Sequence, residues 1–184
     1  MKKLLLTCIA AAASLTAFAQ TDVTPVVNKY KGDLYITLGE EVYDEDAKMD
    51  AKVTVSASTE AGKVDFSLPN FSFAGLPLGT IYLPAIALEQ NDSTYTFGKN
   101  NDVRFNFLGG EIVADAHLDE VRSYVKGDSI VAYIPVVWIQ AEATDSTEAV
   151  TTPIYVLFKG SVANSFVLEN TDFNNEGNWA YSKP

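Results

Sequence analysis

Apolar and polar residues alternate along most of this chain with a period of two, not 3.6. Leu34, Ile36 and Leu38 alternate with Asp33, Tyr35 and Thr37, which predicts a half-buried first strand entered at Tyr30. Val53, Val55 and Ala57 mark the inward face of a second strand. Glu60-Ala61-Gly62-Lys63 then turns the chain into a third carrying Val64, Phe66 and Leu68, so strands two and three form a hairpin. Further strands are expected at 94–97, 103–107, 112–118, 130–139 and 154–160. Between them fall Gln90-Asn-Asp-Ser93, Gly98-Lys-Asn-Asn-Asp102, Gly109-Gly110, a turn at 125–129 and a polar loop at 144–152. One helical turn is expected around 118–124. Short strands at roughly 8–12-residue spacing predict an all-β fold, an antiparallel up-and-down β-barrel of about eight strands, with a β-sandwich as the alternative.

The densest apolar run spans 64–90, punctuated by Gly75, Pro77, Gly79 and Pro84. Its phase slips at Pro69-Asn70, from even positions (Val64, Phe66, Leu68) to odd ones (Phe71, Phe73). A one-residue slip exchanges the faces of a strand, so a bulge or corner is expected there. From Gly79 to Leu88 both phases are apolar. This reads as a strand buried on both faces, covered by a loop, by the tail, by a second layer, or by a protein partner docking at Gly79 to Leu88.

The first residues change the picture of where such a fold works. Met1-Lys2-Lys3, an alanine-rich apolar stretch and Ala17-Phe18-Ala19 form a charged, apolar and cleavable leader, so export with cleavage after Ala19 is expected, to the periplasm or beyond. Cys8, the only cysteine, sits inside the apolar stretch instead of after it and leaves with the leader, which removes disulfides and cysteine chemistry. The organisation expected is a signal peptide at 1–19, a short leader at 20–28, a barrel domain at 29–163 and a loosely ordered, Asn-rich tail at 164–184. Losing Lys2 and Lys3 takes the formal charge from −11 to −13. Such an acidic chain repels nucleic acid, and no stretch is long and apolar enough for membrane insertion as a helix.

With the strands laid out, Tyr30-x-Gly32-x-Leu34, Asn70-Phe71-x-Phe73 and Leu78-Gly79-x-Ile81-x-Leu83 resemble the calycin-like β-barrel proteins exported by certain Gram-negative bacteria, over roughly 29–161. The resemblance implies an antiparallel barrel whose interior can hold a small apolar ligand, and it carries no catalytic residues. It departs from the Gly-x-Trp signature of lipocalins, since Gly32-Asp33 is followed by Leu34. It also draws notice to Asp92-Ser93-Thr94, Asp128-Ser129-Ile130 and Asp145-Ser146-Thr147, which are similar to a periplasmic O-glycosylation sequon. Ser93, Ser129 and Ser146 are the candidate acceptors, although Asp-Ser is also ordinary turn chemistry.

Other chemistry is sparse. His117 is the only histidine, and Asp115 and Asp119 share its strand face, a weak metal set against the reading of a solvated face. The acidic run Glu40, Glu41, Asp44, Glu45, Asp46 and Asp50 lacks calcium-loop order because Lys48 takes a ligand place. Asp172-x-Asn174-x-Glu176-Gly177 starts such a loop but ends it at Lys183. No Gly-x-Ser-x-Gly elbow or phosphate loop appears, so no enzyme and no cofactor are expected. The aromatic surplus is the remaining signal. Tyr35, Phe66, Phe73, Tyr82, Tyr133, Trp138 and Tyr155 lie on expected strands, where they fill a core or line a pocket. The expected function is an exported, non-enzymatic binding module for a small apolar or amphipathic ligand or a glycan, the alternative being a packed structural or adhesive module. Inward clustering of Ala57, Ala85, Ala87, Ala114 and Ala116 would leave interior space.

Overall fold

The computed structural model describes residues 21–163. The expected signal peptide, with Cys8, and the expected tail, with Asp172 to Gly177, lie outside the described residues. Ten strands are present: β1 (Asn28–Leu38), β2 (Met49–Ala57), β3 (Lys63–Phe73), β4 (Leu76–Asn91), β5 (Thr94–Phe97), β6 (Val103–Phe107), β7 (Ile112–Ala116), β8 (Tyr124–Lys126), β9 (Ser129–Ala141) and β10 (Val150–Val162). Eight of them, β1-β2-β3-β4-β5-β8-β9-β10, form a ring that closes where β10 pairs with β1. The fold is therefore a closed antiparallel barrel and not a sandwich. The β6–β7 hairpin is an addition, joined to the ring through β7 and the far half of β9.

Two local expectations are refined. Within 118–124 a single turn covers 120–122, closed by the Ser123 N–H donating to the Asp119 carbonyl at 3.1 Å, and Tyr124 already belongs to β8. The turn expected at 125–129 shrinks to Gly127-Asp128, because Val125 is buried and pairs with both Tyr95 and Ile130 as the centre of β8.

The bulge expected at Pro69-Asn70 is present. Asn70 takes φ 54°, and the β3–β4 register shifts between Leu68 and Phe71. The expectation of a strand buried on both faces is corrected. Ile81 and Leu83 point inward, Ala85 takes φ 54°, and Ile86 and Leu88 then point inward on the other phase. Pro84 and Ala85 stand against Asp65 alone, since Val64 pairs with Ile86 and Phe66 with Leu83. A two-against-one bulge thus changes the phase, and the outward set of Tyr82, Pro84 and Ala87 is exposed. Proline is tolerated there because the ladder is already interrupted.

Asp65 holds this bulge. Its carboxylate accepts from the Ala85 N–H at 2.9 Å and from the Tyr82 hydroxyl at 2.6 Å. Burial pushes its pKa up, but the hydrogen bonds from Ala85, Tyr82 and Ser58 outweigh burial and hold it below 3.8. The folded protein therefore binds fewer protons here than the unfolded chain. The stabilisation is complete above the ordinary carboxylate range and is lost as pH falls through the lowered folded value. Asp65→Asn keeps one acceptor and loses the charge. Urea unfolding at pH 7 should show it about 1 kcal/mol less stable than wild type, with the two proteins converging in acid below the range where Asp65 ionises. A constant gap across pH would remove the charge from the explanation.

One end of the barrel is packed solid. Val26, Tyr30, Phe66, Phe97, Leu118 and Phe158 are all fully buried, and the Tyr30 hydroxyl donates to the Val26 carbonyl at 2.8 Å, strapping the segment before β1 across this end. Asn100 bonds both the N–H and the carbonyl of Leu118, at 2.9 and 2.8 Å. It thereby replaces a missing strand partner between β7 and β8.

Candidate functional site

The other end is open. The β1–β2 loop, the β3–β4 turn, the β6–β7 turn and the β9–β10 loop all lie there, and between them is a cavity of about 290 Å³. Each wall is explained by strand alternation. Leu38 ends the inward set of β1, Phe71 follows the Asn70 bulge, Val136 and Trp138 continue the inward set of β9, and Ile154 begins that of β10. Phe107, Ile112 and Ala114 come from the added β6–β7 hairpin. This hairpin builds the fourth side of the mouth, beyond the level at which short β5 and β8 complete the ring.

The lining is wholly apolar except for the indole N–H of Trp138. A cavity near 150 Å³ lined by such residues stays dry and takes benzene, and small-molecule sites begin near 300 Å³. This volume therefore suits a compact apolar molecule or an alkyl chain. Large apolar side chains also ring the opening: Leu38, Leu76, Leu108 and Val150 are about half exposed. Contiguous exposed apolar side chains of this kind mark a site of interaction or ligand binding.

A larger cleft, of about 380 Å³, opens on the side of the barrel between β2 and β3, which pair only from Thr54 to Ala57. Lys31, Asp50, Lys52, Asn70 and Ser72 line it. Leu34, Met49, Ala51, Leu68 and Pro69 share the lining with them, so the cleft is of mixed polarity and not an apolar pocket. The smaller, apolar cavity is the stronger site.

The aromatic residues named from the sequence separate into three places. Phe73 and Trp138 line the cavity, while Phe66 is buried in the packed end. Tyr82 is exposed on the outside, and Tyr35, Tyr133 and Tyr155 also face outward, in a second apolar cluster with Leu157 and Val131. The β1–β2 loop folds back over that cluster. Tyr43 packs edge-on against Tyr35 and Tyr133, with centroids 6.3 and 5.9 Å apart, and the Arg122 guanidinium lies 3.5 Å from the Tyr133 ring centroid. Of the five alanines, Ala114 lines the cavity and Ala116 is buried, whereas Ala57 and Ala87 are exposed and Ala85 sits in the bulge.

The outer cluster contains a cost. The hydroxyls of Tyr43 and Tyr133 are buried without a hydrogen-bond partner. Burial, with the nearby Glu41 charge, pushes the Tyr43 hydroxyl well above its ordinary pKa, so it stays neutral. Removing an unpaired buried hydroxyl relieves its desolvation penalty. Tyr133→Phe should therefore raise Tm by about 2–4 °C, equivalent to about 1 kcal/mol. Calorimetry that finds a loss of that size would show that the hydroxyl has a bonded partner in solution.

His117, Asp115 and Asp119 do not converge. His117 Nδ1 lies 2.7 Å from Asp102, and Arg104 holds Asp115 through two bonds of 2.7 and 2.9 Å. Asp119 accepts from Arg122 and from the N–H groups of Val121 and Arg122. The Arg104 bonds keep the Asp115 pKa low. At Asp119 burial pushes upward but is outweighed by the bonds from Arg122 and the backbone. Among the described residues no three His, Cys, Asp or Glu side chains group as metal ligands. Ser93 and Ser146 are exposed in turns, and Ser129 is exposed at the start of β9.

The mouth lining was only partly foreseeable. Phe73 and Trp138 stood out as aromatics, but Leu76, Phe107 and Ile112 carry no signal apart from flanking glycines that end their strands. No curated protein matches the chain. The model of the Calycin-like beta-barrel domain matches residues 26–161, all of the ring described above but its last residue, and the chain belongs to that family.

Proposed function

We propose that the protein is an exported, non-enzymatic binding module that holds one small apolar molecule, or the apolar part of an amphiphile, in the mouth of the barrel. The observation that carries this reading is the open, apolar cavity above a solidly packed floor. The leader pattern of Met1 to Ala19 supports export, and the absence of convergent nucleophile, base or ligand groups among the described mouth residues supports binding over catalysis. A glycan fits the cavity poorly. Its hydroxyls would be buried against a wall with one donor, and each unpaired hydroxyl costs on the order of 1–3 kcal/mol.

The test is titration with N-phenyl-1-naphthylamine, a neutral apolar fluorophore. The expected result is saturable 1:1 binding with a blue shift, altered by Trp138→Phe. A linear, non-saturating response would overturn the reading and favour a structural or adhesive module.

A further inference from the structure

We infer that the mouth selects its ligand by charge, accepting an amphiphile with a cationic head in preference to one with an anionic head of the same chain length. This inference rests on the cavity being a binding site. The cavity contains no counter-charge, and an ionised group will not leave water to enter it, so the head of an amphiphile must stay at the rim. The rim is acidic. The β6–β7 turn carries Glu111, the β9–β10 loop carries Asp145 and Glu148, and Glu40 follows Leu38 at the end of β1, all exposed.

The basic groups at this end are already engaged. Lys48 lies 3.7 Å from Asp33, and Arg104 is held by Asp115 at 2.7 Å and by Glu142 at 2.8 Å. The closed end carries fewer carboxylates: Glu60 is paired to Lys63 at 2.6 Å, Asp128 stands near Lys126 in sequence, and Asp92 lies in the β4–β5 turn. The acidic excess is thus concentrated where a ligand head would sit. Like charges there oppose an anion and attract a cation, through surface potentials of up to several kT that salt screens.

The experiment displaces the neutral fluorophore with decyltrimethylammonium, decanol and decyl sulfate, each below its micelle concentration. At about 20 mM salt the cation should bind on the order of tenfold more tightly than the anion, with decanol between them, and the gap should narrow at about 0.5 M salt. The combined variant E111Q/D145N/E148Q should bring cation and anion together while leaving decanol unchanged, which also shows that the variant is folded. Equal or anion-favouring affinities with decanol bound would overturn charge selection and leave the cavity reading intact. Failure of decanol as well would overturn both.

Discussion

Gly32→Ala should be the most damaging single methyl group in the barrel. Gly32 faces Gly160 across the β1–β10 seam, the pair that closes the ring. A Cβ on Gly32 would overlap the Lys159 carbonyl oxygen and the Gly160 Cα. Both are main-chain atoms, so no rotamer change relieves the contact, and the strands must part. Gly160 is equally confined, because a Cβ there would come within 2.5 Å of the Phe158 ring and 2.8 Å of the Lys31 carbonyl oxygen. The ring of Phe158 covers the glycine face and takes the space that a side chain would use. Overpacking a core usually costs about 1–3 kcal/mol. Separating the closing seam also sacrifices ladder hydrogen bonds, so a loss of about 3 kcal/mol or more is expected from urea unfolding of Gly32→Ala. Gly39→Ala is the control: its added Cβ meets nothing, and only its φ of 79° opposes the change, a cost nearer 1 kcal/mol. Equal losses at the two positions would show that backbone conformation, not close approach, explains Gly32.

The same seam shows why the fold was legible and the site much less so. Strand alternation places Tyr30, Leu34, Val53, Val55, Val64 and Phe66 inward without reference to any partner, because burial on one face imposes a period of two. The bulge at Asn70 was visible as a phase slip. The one at Ala85 was not, because apolar residues on both phases hid the change, and the stretch read as two buried faces. What corrects it is Asp65, twenty residues away and bonded to the Ala85 N–H, a long-range contact that local pattern does not record.

The outward position of Tyr35, Tyr133 and Tyr155 has a similar origin. Their alternation with Leu34, Ile134 and Val156 shows that they face away from those residues, but aromatic content alone suggested a pocket. Tyr35 and Tyr133 are buried, and Tyr155 half-buried, because a loop of mixed polarity returns over them, and Tyr43 and Arg122 do the covering. The cavity depended on something further from the sequence pattern, the docking of the β6–β7 hairpin against one half of β9, which leaves Ala114 opposite Phe71 and Phe73 in the mouth.

Ala114→Phe should abolish ligand uptake without unfolding the protein. Ala114 is buried, points into the cavity from β7 and pairs with Trp138. A phenyl ring at this position has about 290 Å³ of apolar space to enter, so the substitution fills a void instead of overpacking a core. Cavity filling commonly adds about 0.5–2 kcal/mol. A modest rise in Tm is expected, together with a loss of at least about tenfold in fluorophore affinity, the equivalent of 1.4 kcal/mol. The opposite change at the packed end separates occupancy from stability. Phe66→Ala removes a fully buried ring at a cost of about 3–5 kcal/mol, yet below its lowered melting point it should still bind the fluorophore. If Ala114→Phe binds as well as wild type, the molecule sits elsewhere on the protein, and the side cleft between β2 and β3 becomes the place to look. If Phe66→Ala alone loses binding, uptake depends on the rigidity of the floor and not on the volume of the mouth.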